Sequence, residues 1–303
     1  MNVLRIAMIG FGEVGTTFAR GFLAFGGYEV SAYDILMRDK AGRSAMIAKA
    51  SALGVRMCES AREAAENATI LFSAVTATSA YAVAEEASSY LGAGQFFLDI
   101  NSVSPATKQR DAAALERSGA AYVEAAVMAP VAPYGLKVPI VLGGKHAREL
   151  HGLLAPVMRL EIGENEIGKA SALKMCRSVM VKGLEALAVE CFTAARLYGV
   201  EEKVLASLNE SHQGLDWEKL VGYNIARTVE HGRRRAAEMR EAAETVAETG
   251  LQPHMSRATA ARIDWVADQV DARPSLRQNK DEDWRNTVDA IAEDAHLRRL
   301  GEG

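Results

Sequence analysis

Val3-Leu4-Arg5-Ile6-Ala7-Met8-Ile9-Gly10-Phe11-Gly12-Glu13-Val14-Gly15 decides the fold. A short apolar run ended by glycine predicts a buried strand. Phe18, Phe22 and Leu23 then recur at helical spacing, so the glycines form a turn from strand into helix. In that setting GxGxxG has a mechanism. The first glycine makes the tight turn, the second lets a pyrophosphate approach the backbone, and the third lets helix and strand pack closely. The helix N-terminus adds free amides and positive potential. Gly10, Phe11, Gly12, Glu13, Val14 and Gly15 are therefore the expected cradle for a dinucleotide.

Downstream, Tyr28 to Tyr33 predicts a second strand, ending in Asp34, nineteen residues beyond Gly15. A carboxylate there accepts hydrogen bonds from an adenosine ribose and repels a 2′-phosphate. NAD is thus favoured, and Arg38 is the group through which NADP would be accommodated instead. Further apolar runs follow at residues 55–57, 69–75, 95–100, 122–127 and 138–142. Helical patterns lie between them. This alternation predicts an α/β fold, a Rossmann-type doubly wound sheet that is mostly parallel and covered on both faces. Ligands of such sheets sit beyond the carboxyl ends of the strands. That singles out Val75-Thr76, Asn101-Ser102 and Met128-Ala129-Pro130.

Beyond residue 165 strand signals vanish. One long helix is expected over about 168–198, from Gly168 to Gly199 without a proline. Its span of roughly 45 Å exceeds what one compact domain needs, so it is expected to join two domains, a dinucleotide-binding domain at 1–164 and an all-helical domain at 165–303. Lys174 lies near its start, with Ser171, Arg177 and Ser178 on the same face. More helices are expected over about 201–250 and 256–270. A last one has Trp284, Val288, Ile291 and Ala295 on one stripe, with Asp281, Glu282 and Asp283 in its first turn. Arg233-Arg234-Arg235 follow Gly232 where a helix is expected to begin. Those cations either pair with Glu230, Glu238 and Glu241 or meet an anionic group.

The 303 residues are 49% hydrophobic and 24% charged, with a formal net charge of -4. That is the profile of a globular chain of about two domains. It carries no basic footprint for nucleic acid or an anionic membrane surface. No apolar run approaches the roughly 20 residues of a membrane span. Cys58, Cys176 and Cys191 show neither metal-ligand spacing nor a disulfide framework. With no signal-like start, a reducing cytoplasm is the expected setting and no metal is expected.

Four ordered motifs make the chain resemble the β-hydroxyacid dehydrogenase superfamily, whose members include 6-phosphogluconate dehydrogenase and 3-hydroxyisobutyrate dehydrogenase. The glycine fingerprint is the first. Asp99-Ile100-Asn101-Ser102-Val103-Ser104-Pro105 resembles the family's Asp-x-Ser-Thr-x-Ser-Pro. Glu124-Ala125-Ala126-Val127-Met128-Ala129-Pro130 stands where Asp-Ala-Pro-Val-Ser-Gly-Gly is usual. Gly168-Lys169-Ala170-Ser171-Ala172-Leu173-Lys174 keeps the Gly-x-Ala-x-x-x-Lys pattern intact. The Arg233–Met239 segment and the Lys174–Lys182 spacing resemble a subgroup with a helical carboxyl-terminal domain of unknown function.

The resemblance implies hydride transfer between a β-hydroxy acid, or a similar alcohol, and a nicotinamide. Lys174 would be the general acid/base, with Asn101 and Ser102 as its catalytic neighbours. A free lysine near 10.4 is a poor base, so burial or the charge of Arg177 must lower its pKa for that role. Met128, Ala129, Pro130, Arg177, Ser178 and Arg234 are the expected substrate contacts. The chain departs from the family pattern at several of them. Asn101 replaces a serine, Ser178 an asparagine, and Met128-Ala129-Pro130 a serine and two glycines. A homodimer formed through the helical domain is expected. An imine or ketone reductase of the same architecture and a non-catalytic dinucleotide sensor are the competing readings.

Overall fold

A computed structural model describes residues 3–278 and 283–301. Asp281, Glu282 and the side chain of Ala295 lie outside the described residues. The chain divides into two compact units, 1–174 and 175–303.

The first unit opens with β1 (Leu4–Ile9), α1 (Glu13–Phe25), β2 (Tyr28–Tyr33), α2 (Lys40–Ser51) and β3 (Arg56–Met57). It continues through α3 (Ala61–Ala65), β4 (Ile70–Ser73), α4 (Ala80–Ala87), β5 (Phe96–Asp99), α5 (Pro105–Glu116) and β6 (Ala121–Val127). Then come β7 (Pro139–Gly143), α6 (Ala147–Leu154), β8 (Arg159–Ile162) and the start of α7 (Lys169–Tyr198). The eight strands form one sheet in the order β3-β2-β1-β4-β5-β6-β7-β8. All neighbours run parallel except β6 and β7. The order reverses between β1 and β4, and the crevice at such a switch point is where a dinucleotide binds.

Why the sheet is covered on both faces follows from its residues. β4 and β5 are buried throughout, as strands in such sheets must be. Phe18 and Phe22 of α1 meet Phe72 edge-on at 6.1 and 5.7 Å on one face. On the other, Leu71, Phe97 and Tyr122 pack with Ala84, Ala87 and Leu115. The strand β8 is not expected from the sequence. Its exposed Arg159 and Glu161 alternate with half-buried Leu160 and Ile162, so this edge strand lacks a continuous apolar run.

The second unit contains the rest of α7, then α8 (Glu201–Ser211), α9 (Trp217–Glu248), α10 (His254–Ala272) and α11 (Trp284–Gly301). Among its described residues every regular element is a helix. Trp284, Val288 and Ile291 form one stripe, buried against Phe192, Val221 and Val270 of the same unit. No helix among the described residues is long and apolar enough to cross a membrane.

α9 is two helices joined across a kink at His231 (φ -131°, ψ 19°), so Arg233, Arg234 and Arg235 do stand in the first turn of a helical segment that begins at Gly232. The expectation about their partners is corrected. Arg233 pairs with Asp268 at 2.5 Å and Asp271 at 2.9 Å on α10, and buried Arg235 forms a two-pronged pair with Glu185 of α7. Arg234 does stay near an expected acid, 3.9 Å from Glu238.

Candidate active site

The glycine turn fits a dinucleotide. Gly10 has φ +92°, and a Cβ there would overlap the Ala74 carbonyl. A Cβ on Gly15 would overlap the carbonyl of Gly10, so only glycine lets α1 approach β1 this closely. At Gly12, in contrast, a Cβ would meet nothing within 4 Å. The loop is thus tight behind and open in front, at the N-terminus of α1, where backbone amides favour phosphate. Asp34 accepts from Phe11 N at 2.7 Å and from Leu36 N at 3.0 Å. Lys49, unremarked in the sequence, donates to Phe11 O at 2.7 Å. The carboxylate and the loop are therefore fixed to one another.

Gly12→Val should leave the fold intact, because its Cβ enters open space, yet fill the ground a pyrophosphate needs. NADH affinity should fall about 100-fold, about 3 kcal/mol, with an unchanged circular dichroism melt. Fluorescence titration reads the first and thermal scanning the second.

Beyond the ends of β4 and β5 the backbone is clamped by Asn101. Its Oδ1 accepts from Val75 N at 2.8 Å and its Nδ2 donates to Ser73 Oγ at 2.9 Å. The side chain is buried, so the first task of Asn101 is to lock these two strand ends together. Thr76 lies next to Val75, its hydroxyl 3.1 Å from those of Thr78 and Ser79. Ser102 remains half-buried, and its Oγ accepts a hydrogen bond from Lys174 Nζ. The amine and the hydroxyl singled out from sequence are thus brought together within the first unit.

How Lys174 reaches that place depends on residues to which the motifs assign no role. Glu124, buried on β6, aims its carboxylate at the start of α7. Oε1 accepts from Gly168 N at 2.7 Å and Ala170 N at 3.3 Å, and Oε2 from Ser171 N at 3.3 Å. The first amides of a helix have no carbonyl partner within it. A carboxylate placed on them satisfies those donors and complements the positive end of the helix dipole. Burial pushes the Glu124 pKa up, while Lys108 and the three amides oppose that shift. Gly143 makes the arrangement possible, since a Cβ there would stand 2.5 Å from Glu124 Oε1. The signal in the sequence is a single acid inside the apolar run Tyr122-Val123-Glu124-Ala125-Ala126-Val127.

Glu124→Gln would replace one acceptor by an NH2 group facing amide donors, at a cost of about 1–3 kcal/mol. Hydrogen exchange at Gly168, Ala170 and Ser171 should accelerate correspondingly. Gly143→Ala should produce the same exchange pattern by displacing the carboxylate.

A second buried cluster supports the Asn101 loop. Lys108 Nζ lies 2.8 Å from Asp99 Oδ1 and donates to Asp99 O at 2.9 Å. Tyr122 OH donates to Asp99 Oδ2 at 2.8 Å, and Asn101 N to Asp99 Oδ1 at 3.0 Å. Asp111, one turn after Lys108 on α5, is also fully buried. Burial, and then the charge of Asp99, push its pKa up to about 7.

Among the other expected contacts, Met128 and Ala129 are half-buried and Pro130 is exposed, all just past β6. Arg177, Ser178 and Arg234 belong to the helical unit. There Arg177 is exposed, while Ser178 is buried and accepts from Lys182 Nζ at 3.0 Å. Lys182 is also paired with Glu238 at 2.9 Å.

A reversing parallel sheet, a glycine turn into a helix and an acid at the end of the next strand define a dinucleotide-binding protein of the Rossmann class. Residues 5–144 match the family described as the NAD binding domain of 6-phosphogluconate dehydrogenase, and residues 195–266 match a domain of unknown function, DUF1932. A conserved hypothetical protein from Sinorhizobium meliloti is 38% identical, over 96% of either chain, with a TM-score of 0.78. The protein MTH1747, described as structurally similar to 3-hydroxyacid dehydrogenases, is 31% identical over 88% of this chain and 97% of its own, with a TM-score of 0.70. The 3-hydroxyisobutyrate dehydrogenase of Mycobacterium tuberculosis, solved with L-serine, shares the fold at 18% identity. It matches over 95% of this chain and 99% of its own, with a TM-score of 0.71. The chain belongs to the β-hydroxyacid dehydrogenase superfamily, in the branch with this helical carboxyl-terminal domain. Its cofactor is a nicotinamide dinucleotide.

Proposed function

We propose that the protein is a dehydrogenase of β-hydroxy acids or closely similar alcohols, with NAD favoured and Lys174 moving the proton. The observation that carries this reading is the hydrogen bond from Lys174 Nζ to Ser102 Oγ at the carboxyl edge of the sheet. When bound, the dinucleotide supplies the hydride acceptor. The protein must then hold the alcohol and take its hydroxyl proton. A neutral Lys174 accepts that proton, and in the reverse direction the ammonium returns it to the carbonyl oxygen. Ser102 orients the amine and offers a hydroxyl to the substrate oxygen. Asn101 positions Ser102 through the backbone it clamps.

Asp34 supports the NAD preference. Its carboxylate lies beside the loop, where it would face a 2′-phosphate with like charge. Arg38, the cation available to offset it, donates from Nε to Tyr33 OH at 3.1 Å. The test is NADH formation from a panel of 3-hydroxy acids with NAD or NADP. Turnover with NAD supports the reading. Reduction of ketone-amine mixtures with NADPH, without oxidation of any hydroxy acid, would overturn it in favour of an imine reductase. Cofactor binding without either reaction would leave a sensor.

A further inference from the structure

β5 and β6 run parallel and in register as far as Asp99 and Glu124, so Asn101 and Ser102 leave the sheet at the same carboxyl edge as the end of β6 that leads to Met128. Met128 N donates to Pro139 O at 2.9 Å, and Pro130 has no N–H. The loop therefore offers few donors to a ligand. Its side chains are a thioether, a methyl and a pyrrolidine ring. Met128 packs against Ala126, Val141 and Ala170, and Ala170 precedes Lys174 by four residues on α7, hence on the same face. The polar groups of the site converge at Ser102 and Lys174. The wall one helical turn away is hydrocarbon and sulfur.

We propose that the substituent of the substrate lying against Met128, Ala129 and Pro130 is hydrocarbon, so that the enzyme takes alkyl-substituted β-hydroxy acids in preference to those bearing a second hydroxyl or carboxylate. This rests on the assignment of the site in the preceding subsection. A hydroxyl placed on this wall gives up its water without gaining a partner. Methionine adapts its shape to differing alkyl groups, which suits a range of chain lengths. The carboxylate of the substrate must then be held elsewhere than on this loop.

The test uses the full chain loaded with NADH and three probes, 3-hydroxypentanoate, 3,4-dihydroxybutanoate and 3-hydroxyglutarate. The first two are nearly isosteric and differ in a methyl against a hydroxyl. Calorimetry should show the pentanoate binding about 10- to 100-fold more tightly than either polar probe, the range one such group commands in an apolar pocket. Met128→Ser should reduce the difference to within about 3-fold, and Met128→Leu should keep it. NADH affinity should be unchanged in both. Equal or reversed preference, a preference untouched by Met128→Ser, or no measurable binding of any probe would overturn the inference. Initial rates with NAD separate it from the reading beneath it. Selective binding without turnover would sink the dehydrogenase assignment and leave the apolar wall, whereas turnover without selectivity would do the reverse.

Discussion

Lys174→Ala should bind NADH within about 2-fold of the parent and turn over about 1000-fold more slowly. General acid–base groups contribute 10²- to 10⁴-fold, and the middle of that range corresponds to about 4 kcal/mol of lost transition-state stabilisation. The separation of the two effects is the informative part. The dinucleotide cradle is built from Gly10, Gly12, Gly15 and Asp34, and the hydrogen bonds described above as fixing that loop run among Phe11, Asp34, Leu36 and Lys49. Lys174→Arg should fare no better, because a guanidinium keeps its proton in proteins and cannot serve as a base. Ser102→Ala should cost less, since it loosens the amine without removing it. Steady-state rates with NADH fluorescence titration check all three. Retention of most activity in Lys174→Ala would end the assignment.

The largest stability effect should come from Lys108→Ala. The Lys108 side chain is 1% exposed and its ammonium pairs with an Asp99 side chain that is 0% exposed, and its charge also acts on Asp111 and Glu124. Removing one partner of a buried pair costs about 3–5 kcal/mol, because the other charge stays behind unpaired. For a unit of this size that lowers the melting temperature by about 10 °C. Lys108→Met, which keeps most of the volume, separates charge from packing and should recover little.

The deficit should also depend on pH. Asp111 has a folded pKa of about 7 against an ordinary 3.8, so between those values the folded state holds more protons than the unfolded one. Its contribution to stability is then complete below about pH 4 and lost as pH rises through 7. Without Lys108 the neighbouring carboxyls should join this behaviour. Melts at pH 5.5 and pH 8 should therefore show Lys108→Ala further below the parent at the higher pH. An equal deficit at both would remove the electrostatic account.

What can be read from the sequence is local. The strand, glycine turn and helix at residues 4–25, and the acid at 34, are each specified within a few residues. The long helix beginning after Gly168 likewise shows as an uninterrupted pattern. β8 escapes because an edge strand with alternating charge leaves little apolar signal. The roles of Glu124 and Lys108 escape for a different reason. Glu124 meets α7 more than 40 residues later, and the value of Lys108 depends on which acids share its pocket. Arg233 and Arg235 depart from expectation on the same ground, their partners lying on α10 and α7 and not on neighbouring turns. Local propensity leaves such meetings undetermined.

The crowding between Gly143 and Glu124 couples two positions that are distant along the chain. Any side chain at 143 must push the carboxylate away from the helix it holds, so a mutation there is deleterious unless position 124 shortens as well. Drift at this pair should therefore proceed by compensated double steps, and a library randomised at both sites together should return functional combinations that neither single-site library contains.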